Sequence, residues 1–479
     1  MRVYIETFGC QMNVLDSELA EALLQSAGME ITDREDSADV VLLNTCSVRE
    51  HAERKVHSRL ERLCDEKAAG REVIIGVLGC MAQRTGEELI KLHKGINLLC
   101  APGQLHRLVD LITAVMNSSP QIALDPPRGQ AKKSTTETGF IDLLRNPSRT
   151  HLPAQAYVRI MRGCDKFCTY CIVPYVRGPE QSRNPDEIIE EARRLIDAGI
   201  TQITLLGQTV NSYRFEQSGK TIRLADLLEM LDNLTGLKWI KFITCYPGGF
   251  DRAILQAMRD LPKVCEYLHI PAQSGSDRIL KAMGRHYSRA DYDRLIDDAR
   301  QIVGQIGIAG DFIVGFPGET DEDFHASVEL IRRTRYKNSY IFKYSPRPGT
   351  IAARRFIDDV PLEVKRRRNI ELLMVQQEVS LADNRALIGK VVEVLVEGRS
   401  PLAKKQNKRF SPEGSSTSDN LVQLTGRTRT DHIVVFDGPE NLAGKYVDVE
   451  ITDATALTLI GRQKSQGEDK KDDSYFKNH

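Results

Sequence analysis

Residues 162–178 read RGCDKFCTYCIVPYVRG and carry three cysteines, Cys164, Cys168 and Cys171, in the spacing C-x3-C-x2-C. Three thiolates on one short loop are typical ligands of a metal centre. A structural zinc and an electron-transfer cluster each need four protein ligands, and no fourth Cys or His lies nearby in the sequence. We therefore predict a four-iron cluster with one iron open to a small molecule. Zinc or a purely structural site is the alternative.

The block from 154 to 380 repeats a unit of one strand followed by one helix, and the cysteine stretch follows its first strand. Apolar runs that alternate with helical patterns are typical of parallel strands joined by helices. The six predicted strands lie in AYVRIMRGC, TQITLLGQ, LKWIKFITCYP, VCEYLHIPAQ, IGIAGDFIVGFPG and SYIFKYSPRPGT. Six such units predict a partial (βα)6 barrel, a partly closed relative of the eight-unit barrel, with its chemistry at the carboxyl ends of the strands.

The first block, residues 1–116, also alternates apolar runs with amphipathic stretches and predicts an α/β domain with a parallel sheet. Three of its strands end in a cysteine: YIETFGC in Cys10, VVLLNTC in Cys46 and IIGVLGC in Cys80. Because the carboxyl ends of parallel strands meet at one edge of a sheet, these thiols are expected to converge. We predict a second cluster with an open iron there, whereas three small buried side chains are the alternative.

The C-terminal block, residues 381–463, contains five short strands and no helical pattern, which predicts a small closed antiparallel β-barrel of the kind that often binds oligonucleotides. A polar insertion, residues 402–420, interrupts it. Residues 117–153 lack periodicity and are predicted to be a linker, and the polar tail 464–479 is predicted to be disordered. The expected fold class is thus α/β with a C-terminal β-barrel.

The composition is globular and gives no indication of the substrate. With 66 Lys and Arg against 66 Asp and Glu, no basic field points to a nucleic acid. No segment approaches the roughly 18 apolar residues of a membrane span, and MRVYIETFGC lacks a secretory pattern. We expect a soluble cytoplasmic protein whose thiols stay reduced. Core packing is the expected role of the remaining cysteines, Cys64, Cys100, Cys245 and Cys265.

The three-cysteine spacing, with the aromatic Tyr170 before the last cysteine, resembles the radical S-adenosylmethionine superfamily. The resemblance implies that the open iron binds S-adenosyl-L-methionine, which an electron from the cluster cleaves to an adenosyl radical. The segments LLGQ, HIPAQSGS and GDFIVGFPGET would then line the cofactor, with glycines that permit a close approach of the backbone; the alternative is that these glycines only form turns. The implied cofactor-binding residues are Tyr170, Gly207, Gln208, Gln273, Ser274, Asp311, Gly315 and Pro317.

The whole chain resembles the methylthiotransferases, and among them the type that acts on tRNA. The most specific segments are TFGCQMNVLDSE, NTCSVREHAERKV, GCDKFCTYCIVPYVRGPEQSR, HIPAQSGSDRILKAMGR, DFIVGFPGETDEDF and YSPRPGT. The C-terminal block resembles the TRAM RNA-binding domain. Two departures are Phe8, where the family often has Tyr, and the long insertion 402–420, which makes the RNA contacts there less certain.

This resemblance implies addition of a methylthio group to carbon 2 of N6-isopentenyladenosine, next to the anticodon of tRNA. It implies two 4Fe-4S clusters, on the two cysteine trios, and S-adenosyl-L-methionine as cofactors. The implied partners are the tRNA anticodon stem-loop, an external electron donor and a sulfur donor, without a membrane.

Three alternative functions are considered. Two use the same domains: methylthiolation of N6-threonylcarbamoyladenosine in tRNA, and methylthiolation of a ribosomal protein aspartate. The segments CQMN and YSPRPGT disfavour the protein substrate. The third is an iron–sulfur electron carrier or RNA-binding module without catalysis, and reductive cleavage of S-adenosylmethionine distinguishes it from the enzymes.

Overall fold

The computed structural model describes residues 1–47, 50–115, 120–126, 141–145, 150, 152–403 and 421–464. The predicted tail apart from Lys464, most of the insertion and much of the predicted linker lie outside these residues. Within the described part of the chain, no helix has both the length and the apolar character that crossing a membrane demands.

The described residues form strands and helices in all three predicted blocks. The strands are β1 Arg2–Thr7, β2 Glu30–Ile31, β3 Val40–Thr45, β4 Ile74–Gly79, β5 Ile96–Cys100, β6 Gln121–Ala123, β7 Gln155–Arg159, β8 Met161–Arg162, β9 Gln181–Ser182, β10 Gln202–Leu206, β11 Arg214–Gln217, β12 Lys220–Arg223, β13 Trp239–Phe242, β14 Tyr267–His269, β15 Gly307–Val314, β16 Asn338–Lys343, β17 Val391–Arg399, β18 Val422–Arg427, β19 Ile433–Gly438, β20 Tyr446–Ala454 and β21 Thr458–Gln463. The α-helices are Gln11–Ser26, Glu50–Ala68, Cys80–Thr85, Glu87–Leu92, Leu108–Val115, Val173–Val176, Pro185–Asp197, Leu224–Asp232, Arg252–Asp260, Asp277–Ala282, Arg289–Val303, Asp321–Thr334, Ile351–Arg355 and Leu362–Arg385.

The first domain is built on a six-stranded parallel sheet in the order β2-β1-β3-β4-β5-β6. All residues of β3 are buried, as its continuous run VVLLNT predicts for a strand covered on both faces. The strand β6 lies within the segment predicted to be a linker, so part of that segment completes the first sheet.

The second domain contains the six predicted parallel strands, arranged as two three-stranded halves in the orders β13-β10-β7 and β14-β15-β16. A parallel bridge between Ile240 and Val264 lies where the two halves meet. Helix starts follow the sequence signals: the Asn184 side chain accepts a hydrogen bond from the Asp186 backbone N–H, and Thr320 and Asp323 form a capping box. The long helix Leu362–Arg385 continues past residue 380 towards the third domain.

The third domain is a closed five-stranded barrel in the order β17-β18-β19-β21-β20. All pairs are antiparallel except β19 with β21, which are parallel. Val449 and Ile451 are buried in its core, and the partly buried Val447 packs against it. Tyr446 faces outward and packs edge-to-face on Trp239 of the second domain, with 4.8 Å between ring centroids.

The turn between β18 and β19, residues 428–432, packs against the amino ends of strands in the second domain's barrel, where Thr430 contacts Gly307 at the start of β15. Asp431 in this turn contacts Lys241 at 3.0 Å, Lys337 at 3.5 Å and Arg427 at 2.9 Å. Although burial alone would raise it, these three cations hold the pKa of Asp431 well below its usual range. The third domain therefore supplies the counter-charge for two lysines that belong to the barrel.

We predict that Asp431→Asn destabilises the protein by about 3 kcal/mol or more, because it leaves largely buried lysines without a counter-charge. Asn keeps the left-handed backbone of this residue, whose φ is 64°, so the change mainly removes charge. Unfolding in urea measures the effect, and the exposed Asp437→Asn in the same domain is the control, expected within about 0.5 kcal/mol of the parent. Equal stability of the two variants would contradict the prediction.

The stability difference between the parent and Asp431→Asn is also expected to depend on pH. A carboxyl group with a lowered folded-state pKa stabilises the protein above its unfolded pKa of about 4, and this stabilisation is lost as the pH falls further. The difference in stability between the parent and Asp431→Asn is therefore expected to shrink as the pH falls below about 4. A difference that grows on acidification below about pH 4 would refute this assignment.

Candidate functional site

The three cysteines of the first domain lie at the carboxyl ends of three neighbouring strands. The strands β1, β3 and β4 are adjacent in the sheet, and Cys46 and Cys80 follow β3 and β4 directly. Cys10 follows the short turn after β1 and begins the helix Gln11–Ser26. The structure thus brings the predicted trio to one sheet edge.

The packing around these thiols is tight. A Cβ atom at Gly9, where φ is 125°, would overlap the side chain of Cys46. A side-chain hydrogen bond with Cys46, opposed by burial and helped by Arg177, lowers the pKa of the Cys10 thiol to about 6. Burial instead raises the pKa of Cys80. Cys10 and Cys46 are thus close neighbours, and Cys10 is biased towards the thiolate that binds metal.

An arginine of the second domain contacts this trio. Arg177 donates from Nε to the sulfur of Cys80 at 3.2 Å. Its Nη2 donates to Asn13 Oδ1 and to Asp16 Oδ2, both at 2.9 Å. Since Arg177 lies only six residues after Cys171, the cysteine loop of the second domain contacts a thiol of the first.

The second trio lies on the loop after β7 and β8. Cys164 and Cys168 are buried and Cys171 is half-buried. The loop is fixed at both ends, since the Cys164 N–H donates to the Gly178 carbonyl at 3.1 Å and the Cys171 N–H donates to the Cys168 carbonyl at 2.9 Å. At the middle of the loop, the Thr169 N–H donates to the Met283 carbonyl at 2.8 Å. Backbone hydrogen bonds therefore set the spacing of the three thiols.

A short apolar contact joins the two trios. Ile172, directly after Cys171, forms a buried cluster with Val176 and with Cys80 of the first trio. One segment, residues 171–177, thus begins with a thiol of the second trio and ends with the arginine bound to the first. Both trios border the same part of the domain interface.

The donor set fits iron–sulfur clusters. Burial, and then the neighbouring thiol of Cys168, raise the pKa of Cys171 to about 12, and burial raises the pKa of Cys164. Crowded thiols of this kind need a cationic centre to ionise together. Within the described residues, no three His, Cys, Asp or Glu side chains are arranged for a single metal ion. The thiolates of a cluster bind different irons and need not converge on one point, as the ligands of a zinc ion do.

A buried chain of alternating charges connects the first trio to the second domain. Arg177 pairs with Asp16, which also lies 3.6 Å from Arg159. Arg159 pairs in turn with Asp142 at 2.7 Å, and a further branch starts at Asp142. That branch contains Arg183, Glu191, Arg145 and Glu18. Since Asp16 and Glu18 lie on the first domain and Arg159 on β7, the chain fixes one domain against the other.

Most of the predicted cofactor-binding residues follow the carboxyl ends of barrel strands. Gly207 and Gln208 follow β10, Gln273 and Ser274 follow β14, Asp311 lies in β15, Gly315 and Pro317 follow β15, and Tyr170 lies in the cysteine loop.

Gln273 has a left-handed backbone, with φ of 70°, which is uncommon for a residue other than glycine. Its N–H donates to the Asp311 carbonyl at 2.7 Å, and its carbonyl accepts from the Ile313 N–H at 2.9 Å. These bonds join the chain after β14 to β15. Such strain is common at ligand sites, and the cofactor role of Gln273 stays a prediction.

Two of the predicted glycines have a packing explanation. A Cβ atom at Gly207 would lie 2.5 Å from the Met161 side chain, and one at Gly315 would overlap the side chain of Lys365. Protein packing alone therefore requires glycine at both positions. A role for either glycine in approaching a cofactor stays a prediction.

The remaining four cysteines lie among apolar side chains. Cys100 and Cys245 belong to the main hydrophobic cores of the first and second domains, and Cys265 packs with Trp239. Cys64 is half-buried and packs against the second core of the first domain. These positions agree with the expected packing roles.

Sequence reasoning missed two arginines at the cysteines. Arg177 contacts Cys80, and Arg285 donates from Nη1 to the Cys168 sulfur at 3.4 Å. Arg177 lies in the quoted stretch and Arg285 in KAMGR, so both were within recognised segments. Their thiol partners are distant in sequence, however, and only the fold pairs them.

Three family profiles match the chain. The Uncharacterized protein family UPF0004 matches residues 2–101, the Radical SAM superfamily matches residues 158–331, and the TRAM domain matches residues 416–463.

Curated relatives match nearly the full length. A protein of Rhodopirellula baltica named tRNA-2-methylthio-N(6)-dimethylallyladenosine synthase is 49% identical over 466 residues, covering 97% of this chain and 95% of the relative. Relatives with the same name in Moorella thermoacetica and Phocaeicola vulgatus are 42% and 40% identical, covering 95% and 96% of this chain and 97% and 96% of their own lengths. Among solved structures, the radical S-adenosylmethionine methyltransferase TsrM from Kitasatospora setae has a TM-score of 0.52 at 16% identity, covering 74% of each chain, which shows a shared fold.

We predict that Gly163→Ala prevents cluster binding while Gly178→Ala is tolerated. Both glycines have left-handed backbones, with φ of 73° and 72°, so the conformational cost of alanine is similar, about 1–2 kcal/mol. A Cβ atom at Gly163 would overlap the Pro179 carbonyl, whereas one at Gly178 would meet nothing within 4 Å. Iron per chain after anaerobic reconstitution measures the outcome, and equal iron in the two variants would count against it.

Proposed function

Because the chain belongs to the family of the tRNA-2-methylthio-N(6)-dimethylallyladenosine synthases, we propose that it adds a methylthio group to carbon 2 of N6-isopentenyladenosine next to the anticodon, using both cysteine trios. The chain is a tRNA methylthiotransferase with a radical S-adenosylmethionine domain. The observation that carries the two-trio proposal is the segment 171–177, which contacts the thiol of Cys80 in the first trio and contains Cys171 of the second.

We assign one 4Fe-4S cluster to Cys164, Cys168 and Cys171 and another to Cys10, Cys46 and Cys80. When bound, these groups and S-adenosylmethionine supply one-electron chemistry at the base and a sulfur atom for transfer. Chemistry of this kind is needed because a carbon–hydrogen bond on adenine is not acidic enough for side-chain bases.

The protein's own residues position these groups and exclude water. Ile172 and Val176 form an apolar wall with Cys80 between the trios, and a dry boundary strengthens electrostatic interactions and prevents side reactions. Arg177 donates to the Cys80 sulfur and is held by Asp16, so its orientation is fixed before substrate arrives.

The substrate is a base in a single-stranded loop, which can be turned out and inserted into a site of this kind. The TRAM domain supports a tRNA partner, and we propose that the anticodon stem-loop is the part bound. We also propose an external one-electron donor, a sulfur donor and a cytoplasmic location, where tRNA is available and thiols remain reduced.

The assay that tests the substrate compares three acceptors. A stem-loop with N6-isopentenyladenosine is expected to gain the methylthio group, detected by mass spectrometry of its nucleosides. A matched stem-loop with N6-threonylcarbamoyladenosine and a ribosomal protein are expected to stay unmodified. Preferential modification of either of these two would overturn the proposed substrate.

We predict that changing Cys10, Cys46 and Cys80 together to Ala lowers the iron content from about eight to about four per chain. Reductive cleavage of S-adenosylmethionine is expected to persist, while methylthiolation is lost. Cys100→Ala, a buried cysteine of the same sheet, is the control and is expected to keep full iron. A triple variant that retains about eight irons would remove the first trio from the proposal.

A further inference from the structure

Among the described residues, the buried cation Arg285 contacts only neutral groups and a thiol of the second trio. Its Nη1 donates to Cys168 Sγ at 3.4 Å, its Nε donates to Tyr287 Oη at 2.9 Å, and its Nη2 donates to the Pro271 carbonyl at 3.0 Å. The guanidinium also stacks on Tyr246, 4.5 Å from the ring centroid. Arg285 is 9% exposed, so solvent does little to stabilise its charge.

The neighbours of Arg285 do not supply a negative charge. Tyr287 donates its own proton to the Ala272 carbonyl at 2.7 Å, and burial raises the pKa of its hydroxyl to about 12. No Asp or Glu among the described residues forms an ion pair with Arg285. A buried arginine without a carboxylate is costly unless another anion compensates it, and the nearest candidate is the thiolate of Cys168.

The arginine at the first trio has a different environment. Arg177 also donates to a cysteine sulfur, at 3.2 Å, but Asp16 accepts from it at 2.9 Å. Its charge is therefore largely neutralised within the protein. Within the part of the chain that the structure describes, Arg177 therefore has a carboxylate beside its charge, whereas Arg285 brings an uncompensated positive charge to its thiol.

We propose that the positive charge of Arg285 stabilises the cluster on Cys164, Cys168 and Cys171, most strongly in its reduced state, and so raises its reduction potential. Arg285 is a positioning residue that acts through Cys168, and the inference rests on the proposed function. Reduction adds one electron from a low-potential one-electron donor; no bond forms or breaks, and the guanidinium keeps its proton. Hydrogen bonds to cluster sulfurs and net charge are known determinants of cluster potentials.

The test separates the second cluster from the first. In the full-length protein with Cys10, Cys46 and Cys80 changed to Ala, only the second trio remains to bind iron, and a redox titration followed by electron paramagnetic resonance reports on it alone. Arg285→Gln keeps a hydrogen-bond donor but removes the charge, whereas Arg285→Lys keeps the charge. Lys281→Gln removes the same charge from an exposed position on the preceding helix and is the matched control.

Arg285→Gln is expected to lower the ratio of reduced to oxidised cluster at a fixed potential at least tenfold, which is about 59 mV for one electron. Arg285→Lys and Lys281→Gln are expected to stay close to the parent. A cluster present in Arg285→Gln with an unchanged potential would overturn the inference. If Arg285→Gln binds no iron, the iron content of Arg285→Lys tests the role of the charge. Iron bound by Arg285→Lys supports that role, and loss of iron from Arg285→Lys refutes it.

The same experiment distinguishes failure of the inference from failure of the proposed function. Absence of about four irons in the background protein, before any change at Arg285, would mean that Cys164, Cys168 and Cys171 do not hold the cluster. That result would overturn the proposed function and the inference together. Iron present with a potential that is insensitive to Arg285 would overturn the inference alone.

Discussion

A buried chain of alternating charges holds the domain that carries one cysteine trio against the domain that carries the other. Domains within one chain usually have polar interfaces that permit relative motion. Here the interface contains desolvated ion pairs, and removing one partner from such a pair typically costs about 3–5 kcal/mol. The first member of the chain, Arg177, also binds the sulfur of Cys80, so the contact that orients the domains contacts the candidate site as well. Its members are Arg177, Asp16, Arg159, Asp142, Arg183, Glu191, Arg145 and Glu18.

Local sequence patterns predicted most of the architecture. The six barrel strands and the five strands of the C-terminal barrel follow from apolar runs between turn residues, and helix caps such as Asn184 are encoded by neighbouring residues. The placement of Cys10, Cys46 and Cys80 at adjacent strand ends was predictable because the geometry of a parallel sheet leaves few alternatives.

Contacts between distant residues could not be predicted in this way. Nothing near Arg285 in the sequence indicates that it meets Cys168, and nothing in the third domain indicates that Asp431 neutralises Lys241. A charged side chain in a helix or turn has a solvated face as its ordinary explanation, and only the fold reveals that these are buried. The same holds for β6, which lies in a segment with turn-like composition but completes the first sheet.

The packing of the turn 428–432 against the barrel has a consequence for biosynthesis. The ribosome completes all six strands of the second domain before this turn is made, and domains tend to fold as they emerge. Until Asp431 arrives, the barrel contains two lysines near its amino end without their counter-charge. The third domain, which is translated after the second, thus supplies a charge that the second domain needs, so a chain released between the two lacks part of the barrel's interior.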